Sequence, residues 1–111
     1  MAPMVSHAKE LGLMEAVAYT QNQCFEAGVL FARAEGIVPA PEANHAVKGA
    51  IVEALRCKAE GKAETILFNL CGHGHFDMSA YTAYFSGKLV DQHYDEAELA
   101  MALSGLPAVP A

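Results

Sequence analysis

Apolar positions along the chain fall into one helical stripe, two nearly unbroken runs, and short stretches cut by glycine or proline. The clearest period lies over residues 43–59. There Ala43, Ala46, Val47, Ala50, Ile51, Ala54 and Leu55 recur at i, i+3 and i+4 spacing. Lys48, Glu53, Arg56 and Lys58 take the other side, which predicts an amphipathic helix packed on something flat. Residues 24–36, CFEAGVLFARAEG, are apolar on nearly every face except at Glu26, Arg33 and Glu35. They predict a largely buried helix, with Gly36 where a C-terminal glycine belongs. Residues 65–70, TILFNL, are compact, apolar and partly β-branched, the signature of a strand covered on both faces.

Shorter signals fill the intervals. Residues 6–11 suit a helical turn with Ser6 as N-cap and Lys9 in its body, stopped by Gly12. Residues 16–19, AVAY, suit a strand or extended segment. Ile37 and Val38 open a short strand that Pro39 and Pro41 cut off, because proline neither donates to a ladder nor continues a helix. EGKAE, residues 60–64, reads as a turn. After the loop CGHGHFD, residues 71–77, Asp77 or Ser79 can cap a helix over 78–85 that ends at Gly87. Asp95, with Glu98 three positions on, starts a final short helix, EAELAMAL, in the manner of a capping box. Residues 104–111 form a tail expected to fray, ending in PAVPA.

Helices alternating with apolar strands predict an α/β fold, a partial three-layer αβα unit around a small parallel sheet. With 111 residues the chain is a single domain. A strand as apolar as TILFNL needs neighbours on each edge and helices on both faces, and the chain supplies too few of either. It reads as part of a larger α/β domain. Composition points the same way: 53% of residues are hydrophobic, rich for a small domain, which implies surface that something else covers.

Charge and cysteine usage exclude several classes. A net charge of −6 with no Lys/Arg cluster argues against nucleic acid. No window of about 18 apolar residues suggests a membrane span, and MAPMVSHAKELG lacks the charged-then-apolar pattern of a secretory signal. Cys24, Cys57 and Cys71 are odd in number and widely spaced. They read as reduced thiols, which predicts a cytoplasmic protein.

The chemistry concentrates in CGHGHFD. The loop follows a strand and opens a helix, the place where parallel α/β sheets gather ligands and helix N-termini present free N–H groups. Neither a dinucleotide fingerprint nor a phosphate-binding P-loop is present. A tight connection with Gly72 and Gly74 at positive φ is the plain alternative. Cys71, His73, His75 and Asp77 alternate, so an extended backbone would turn all four to one side, and zinc accepts such ligands. No second pair of ligands is evident, since His7, His45 and His93 are scattered. Cys71 as a nucleophile would need His73 or His75 as base; a small buried thiol is the simpler role. Glu42, in PAPEANHA at the start of the long helix, is favoured there by the helix dipole and lies at the same end of the expected sheet as the loop.

EGIVPAPEANHAV and ILFNLCGHGHFD closely resemble the C-terminal part of the tryptophan synthase β-chain family. The resemblance is nearest to its second, β-chain-like subgroup, which carries a GHGHFD-type loop. It extends through MAPMVSHAKELGLMEA, FEAGVLFARAEG and YFSGKL, and so covers nearly the whole chain. It implies a fragment of a fold-type II pyridoxal phosphate enzyme domain, in a family that joins serine and indole to make tryptophan.

By the same resemblance Glu42 lies beside the cofactor ring and Gly72 packs against it. Cys71 stands where the family's serine hydrogen-bonds the pyridine nitrogen. A thiol is a weaker partner than a hydroxyl. The family's Schiff-base lysine and phosphate-holding glycine loop have no counterpart here, because Lys9, Lys48, Lys58, Lys62 and Lys88 stand in no matching motif.

The resemblance therefore implies a free-standing C-terminal fragment with no catalytic residues of its own, which binds no cofactor covalently and is inactive alone. A complementing N-terminal enzyme portion is one implied partner. Two other readings stay open. One is a self-associating module, a homo-oligomer or symmetric homodimer that completes its sheet. The other is metal binding by the histidine loop.

Overall fold

The computed structural model describes residues 3–91 and 95–105. Five helices follow in order: α1 (Pro3–Glu10), α2 (Gln21–Glu35), α3 (Pro41–Glu60), α4 (Met78–Phe85) and α5 (Glu96–Ser104). All five predicted helices form. Where the limits of α2 and α3 differ from expectation, a cap explains it.

Helix α2 starts three residues early because Thr20 and Gln23 make a reciprocal N-terminal cap, with the Thr20 N–H donating to Gln23 Oε1 at 3.0 Å. A second tie comes from far along the chain. Asp91 Oδ1 accepts from the Asn22 N–H at 2.9 Å, and the Asn22 side chain donates to the Leu89 carbonyl at 3.2 Å. Helix α3 opens with Pro41 in its first turn, where a missing N–H costs nothing. Gly36 and Gly61 end α2 and α3 in the left-handed conformation that glycine adopts without strain. Ser6 lies inside α1 rather than at its cap. The expected Asp95 cap is present, accepting from the Ala97 N–H at 2.8 Å. Of the expected tail, Ser104 closes α5, and residues 106–111 lie outside the described residues.

Helices α2 and α3 run side by side in the same direction. Cys24 and Phe25 lie beside Pro41, Glu42 and His45 across one cleft, and Leu30, Phe31 and Ala34 beside Val47, Ala50, Ile51 and Ala54 across another. Between them Gly28 meets Asn44 so closely that a Cβ at Gly28 would overlap the amide side chain. Glycine is required there by proximity, not by backbone conformation. Because the helices are parallel, residues 36–40 must return along α2 to reach the start of α3. Residues 62–72 likewise return along α3: Lys62 bonds back to the Cys57 carbonyl, Phe68 packs edge-on against Phe31, and Gly72 reaches Ala40. Both extended segments thus run the same way, which is the connectivity of a strand–helix–strand unit.

The small parallel sheet itself does not form among the described residues. Residues 65–70 keep a strand's alternation, with Ile66, Phe68 and Leu70 half-buried while Thr65, Leu67 and Asn69 are exposed. They meet no ladder partner, and Leu67 is 96% exposed. The expectation of a strand covered on both faces is corrected to an extended segment with one face on α2 and α3 and the other bare. Residues 16–19 are also irregular and exposed or half-exposed. The physical reason is supply: hydrogen-bonding groups of an extended segment pair only where another segment lies alongside in register, and no backbone hydrogen bond joins 36–40 to 65–70. One isolated bridge, antiparallel and not parallel, links Pro39 and His73.

The core is correspondingly small. Cys24, Phe25, Ala27, Ala43, Val47 and Tyr81 are buried with Asn44 where α2, α3 and α4 meet, and neither α1 nor α5 contributes a buried residue. A radius of gyration of 17.1 Å exceeds the ~13 Å of a compact domain of this length. Among the described residues the chain is an open assembly of helices and extended segments.

Candidate functional site

The site expected at the strand ends is built on the Pro39–His73 bridge. The Ala40 N–H donates to the Gly72 carbonyl at 2.9 Å, and the Gly74 N–H donates to the Val38 carbonyl at 2.8 Å. After running along α3, the chain hooks back so that the glycine loop lies against the two residues before the helix. Both loop glycines face crowding: a Cβ at Gly72 would stand 3.2 Å from Ala40 Cβ, and one at Gly74 would stand 2.5 Å from the Pro39 carbonyl oxygen. Neither takes the positive φ that the plain reading of the loop supposed. Close backbone approach is what demands glycine here.

Beneath the bridge lies a buried polar cluster. The Tyr81 hydroxyl on α4 donates to the Pro39 carbonyl at 2.6 Å, and the Asn44 amide on α3 donates to Tyr81 Oη at 3.2 Å. Asn44 is fully buried, and Tyr81 nearly so. Burial raises the tyrosine pKa, and the Asn44 hydrogen bond opposes the rise. The Tyr81 ring packs edge-on against Phe25, at 5.0 Å between centroids. Sequence reasoning missed this cluster. The signal was available, because Asn44 interrupts an apolar stripe and a buried amide needs a partner.

Of the expected site residues, Gly72 is held directly against the start of α3. Cys71 precedes it and is exposed, so the simpler role of a small buried thiol is corrected: the bridge begins one residue later and leaves Cys71 outside it. Glu42 is exposed in the first turn of α3. It lines a cleft of about 300 Å³ with Gln21, Cys24, Phe25, Pro41 and His45, which neither Cys71 nor Gly72 enters. The bridge thus brings together the backbones that carry the three residues, without gathering their side chains into one cavity.

The histidines pair with each other. His73 and His75 rings lie 4.6 Å apart, and the His75 N–H donates to His73 Nδ1 at 3.3 Å. No group of three or more His, Cys, Asp or Glu side chains is arranged to hold a metal ion among the described residues; His93 lies outside them. Nor is any helix of the described residues long and apolar enough to cross a membrane.

Three of the loop's N–H groups are engaged within the chain. Gly74 bonds to Val38, His75 to His73, and Asp77 to the Gly74 carbonyl at 2.9 Å.

This bridged pair of segments, PAPEANHA and CGHGHFD, lies within a chain whose sequence matches known proteins closely. It is 59% identical over 90 residues to tryptophan synthase beta chain 2 of Aquifex aeolicus, covering 81% of this chain and 21% of that protein. It is 60% identical over 89 residues to tryptophan synthase beta chain 2 of Methanosarcina acetivorans, covering 80% and 20%. The chain carries a segment of the tryptophan synthase β-chain family. The tryptophan synthase beta chain of Pyrococcus horikoshii matches over a longer stretch, 102 residues and 92% of this chain, at 48% identity. No protein-family model matches. The chain spans about a fifth of the length of these relatives, and its open shape and bare strand-like face are what such a portion of an α/β domain would show.

Proposed function

We propose that the chain is the C-terminal wall of a tryptophan synthase β-type site for pyridoxal phosphate, presenting the ring side of the pocket, and that alone it does not catalyse. The observation that carries this reading is the Pro39–His73 bridge, which sets the start of the Glu42-bearing helix against the Cys71–Gly72 loop. Residues of this chain fit one edge of the cofactor. Glu42 would lie beside the ring, Cys71 would offer a weak partner to the pyridine nitrogen, and Gly72 would leave room for the ring to approach.

They do not fit the other edge. Three of the loop N–H groups bond within the chain, no lysine lines the Glu42 cleft, and Lys62 is paired with Glu60 at 2.7 Å. The cofactor's covalent anchor and phosphate grip would come from a complementing N-terminal portion. Residues 37–38 and 65–70 would gain ladder partners there, completing the parallel sheet. The reading places the protein in the cytoplasm, with serine and indole as substrates of the completed site.

Purified chain mixed with pyridoxal phosphate, serine and indole is expected to form tryptophan no faster than free cofactor does. Turnover above that background would overturn the proposal.

A second reading has its own observation. Residues 63–71 make no backbone hydrogen bond to one another, and the segment's outer face carries Leu67 bare. A second copy could cover that face, so self-association as a homodimer is compatible with the first reading and addresses the same bare surface.

A further inference from the structure

Asn44 and Tyr81 are not among the residues through which the chain would touch a cofactor, yet they are its most deeply placed polar pair. They join three segments that are far apart in sequence. Asn44 belongs to the first turns of α3, Tyr81 to α4, and the Pro39 carbonyl to the stretch that carries the bridge. No buried side-chain polar atom among the described residues lacks a partner, so the cluster is closed and leaves no group to seek a ligand.

Its geometry is specific. Asn44 is boxed against Gly28, where no side chain fits, and the Tyr81 ring is fixed by Phe25 on one side and Gly74 on the other. A hydroxyl held in this way has two acceptors, Asn44 Oδ1 at 3.3 Å and a backbone carbonyl at 2.6 Å. The closer one is the carbonyl of the residue bridged to His73.

We infer that Tyr81 is a positioning residue: through the Pro39 carbonyl and Asn44 it fixes the glycine loop against the start of α3, and so sets the spacing between Gly72 and the turn bearing Glu42. The inference deepens the proposed cofactor wall and rests on that reading for its functional meaning. Its physical content stands on the hydrogen bonds alone.

The test is hydrogen exchange on the full 111-residue chain, read amide by amide, in the native protein and in Tyr81→Phe. Phenylalanine keeps the ring packing against Phe25 and removes only the hydroxyl. The bridge amides of Ala40 and Gly74 are expected to exchange about tenfold faster in the variant, while amides in the middle of α2 and α3 keep their rates. Unchanged exchange at Ala40 and Gly74 overturns the inference. So does an equal acceleration at every amide, which would mean that the hydroxyl supports global stability only.

Asn44→Ala provides a second variant if the first does not fold. It leaves the bond to Pro39 but frees the hydroxyl to turn, and a smaller acceleration at the same two amides is expected. A separate arm adds pyridoxal phosphate and follows the Cys71 and Gly72 amide shifts. Shifts in the native chain that shrink in Tyr81→Phe support both claims. No shift in either protein counts against the cofactor wall and leaves the exchange result to decide the role of Tyr81.

Discussion

Gly28 and Asn44 show how a single contact sets the relation between two helices. A glycine inside a helix normally costs about 1 kcal/mol relative to alanine, so Gly28→Ala would stabilise an isolated α2. In this chain the added methyl would overlap the Asn44 amide, which Tyr81 holds in place. Overpacking of a buried site costs about 1–3 kcal/mol, so the variant is expected to be less stable than the native chain, read as a lower midpoint in urea unfolding. A raised midpoint would mean that Asn44 swings aside freely.

Titration acts at the same scale. Burial pushes the Cys24 thiol and the Tyr81 hydroxyl up. An unfolded chain ionises these groups near their ordinary values of about 8.5 and 10, while the folded chain holds each proton to a higher pH. Above about pH 8.5 the folded state therefore binds more protons than the unfolded one, and stability falls as pH rises. Urea midpoints should decline from pH 7 to pH 10, with Tyr81→Phe losing only the uppermost part of the decline. A flat profile would contradict the assigned burial.

Among the elements, residues 62–72 carry the most consequence. The segment is launched by a charge cluster at the end of α3, where Arg56 reaches Glu53, Glu60 and Glu64. The contact with Glu64 fixes where the segment begins, and Phe68 against Phe31 fixes which face turns inward. Leu67 is then left outward by the two-residue alternation of extended chain. If this edge drives association, Leu67→Lys is expected to weaken it, because an outward lysine on a strand edge opposes pairing. Light scattering across a concentration series reads the result. An equal mass for native and variant chains at every concentration would remove this segment from the interface. The fate of the element was only half legible beforehand: its apolar composition announced a strand, but composition does not state whether a partner lies alongside.

At the scale of the whole molecule, the chain has helix-forming local signals throughout and one small core. Thr20 with Gln23, Pro41, Gly36, Gly61 and Asp95 act within a few residues of themselves, and each could be read along the chain. Positions 42, 71 and 72 were likewise legible, as an acid at a helix start and a glycine loop after an apolar run. Their juxtaposition was not. It depends on α2 and α3 lying parallel, so that both return segments arrive at one end, and on a hook in the chain after residue 70 that no local pattern encodes.

By itself the sequence determined the five helices and the Gly36 and Asp95 caps, the apolar character of residues 65–70, and the family to which the segment belongs, because these rest on short-range sterics, hydrogen bonding and residue identity. Tertiary structure alone decided that residues 65–70 stay unpaired, that the loop glycines serve close approach and not positive φ, and that Asn44 and Tyr81 lie beneath the site. Such features are set by what comes near what in space. For a chain that spans a fifth of its relatives, what comes near is also where the fold is most incomplete.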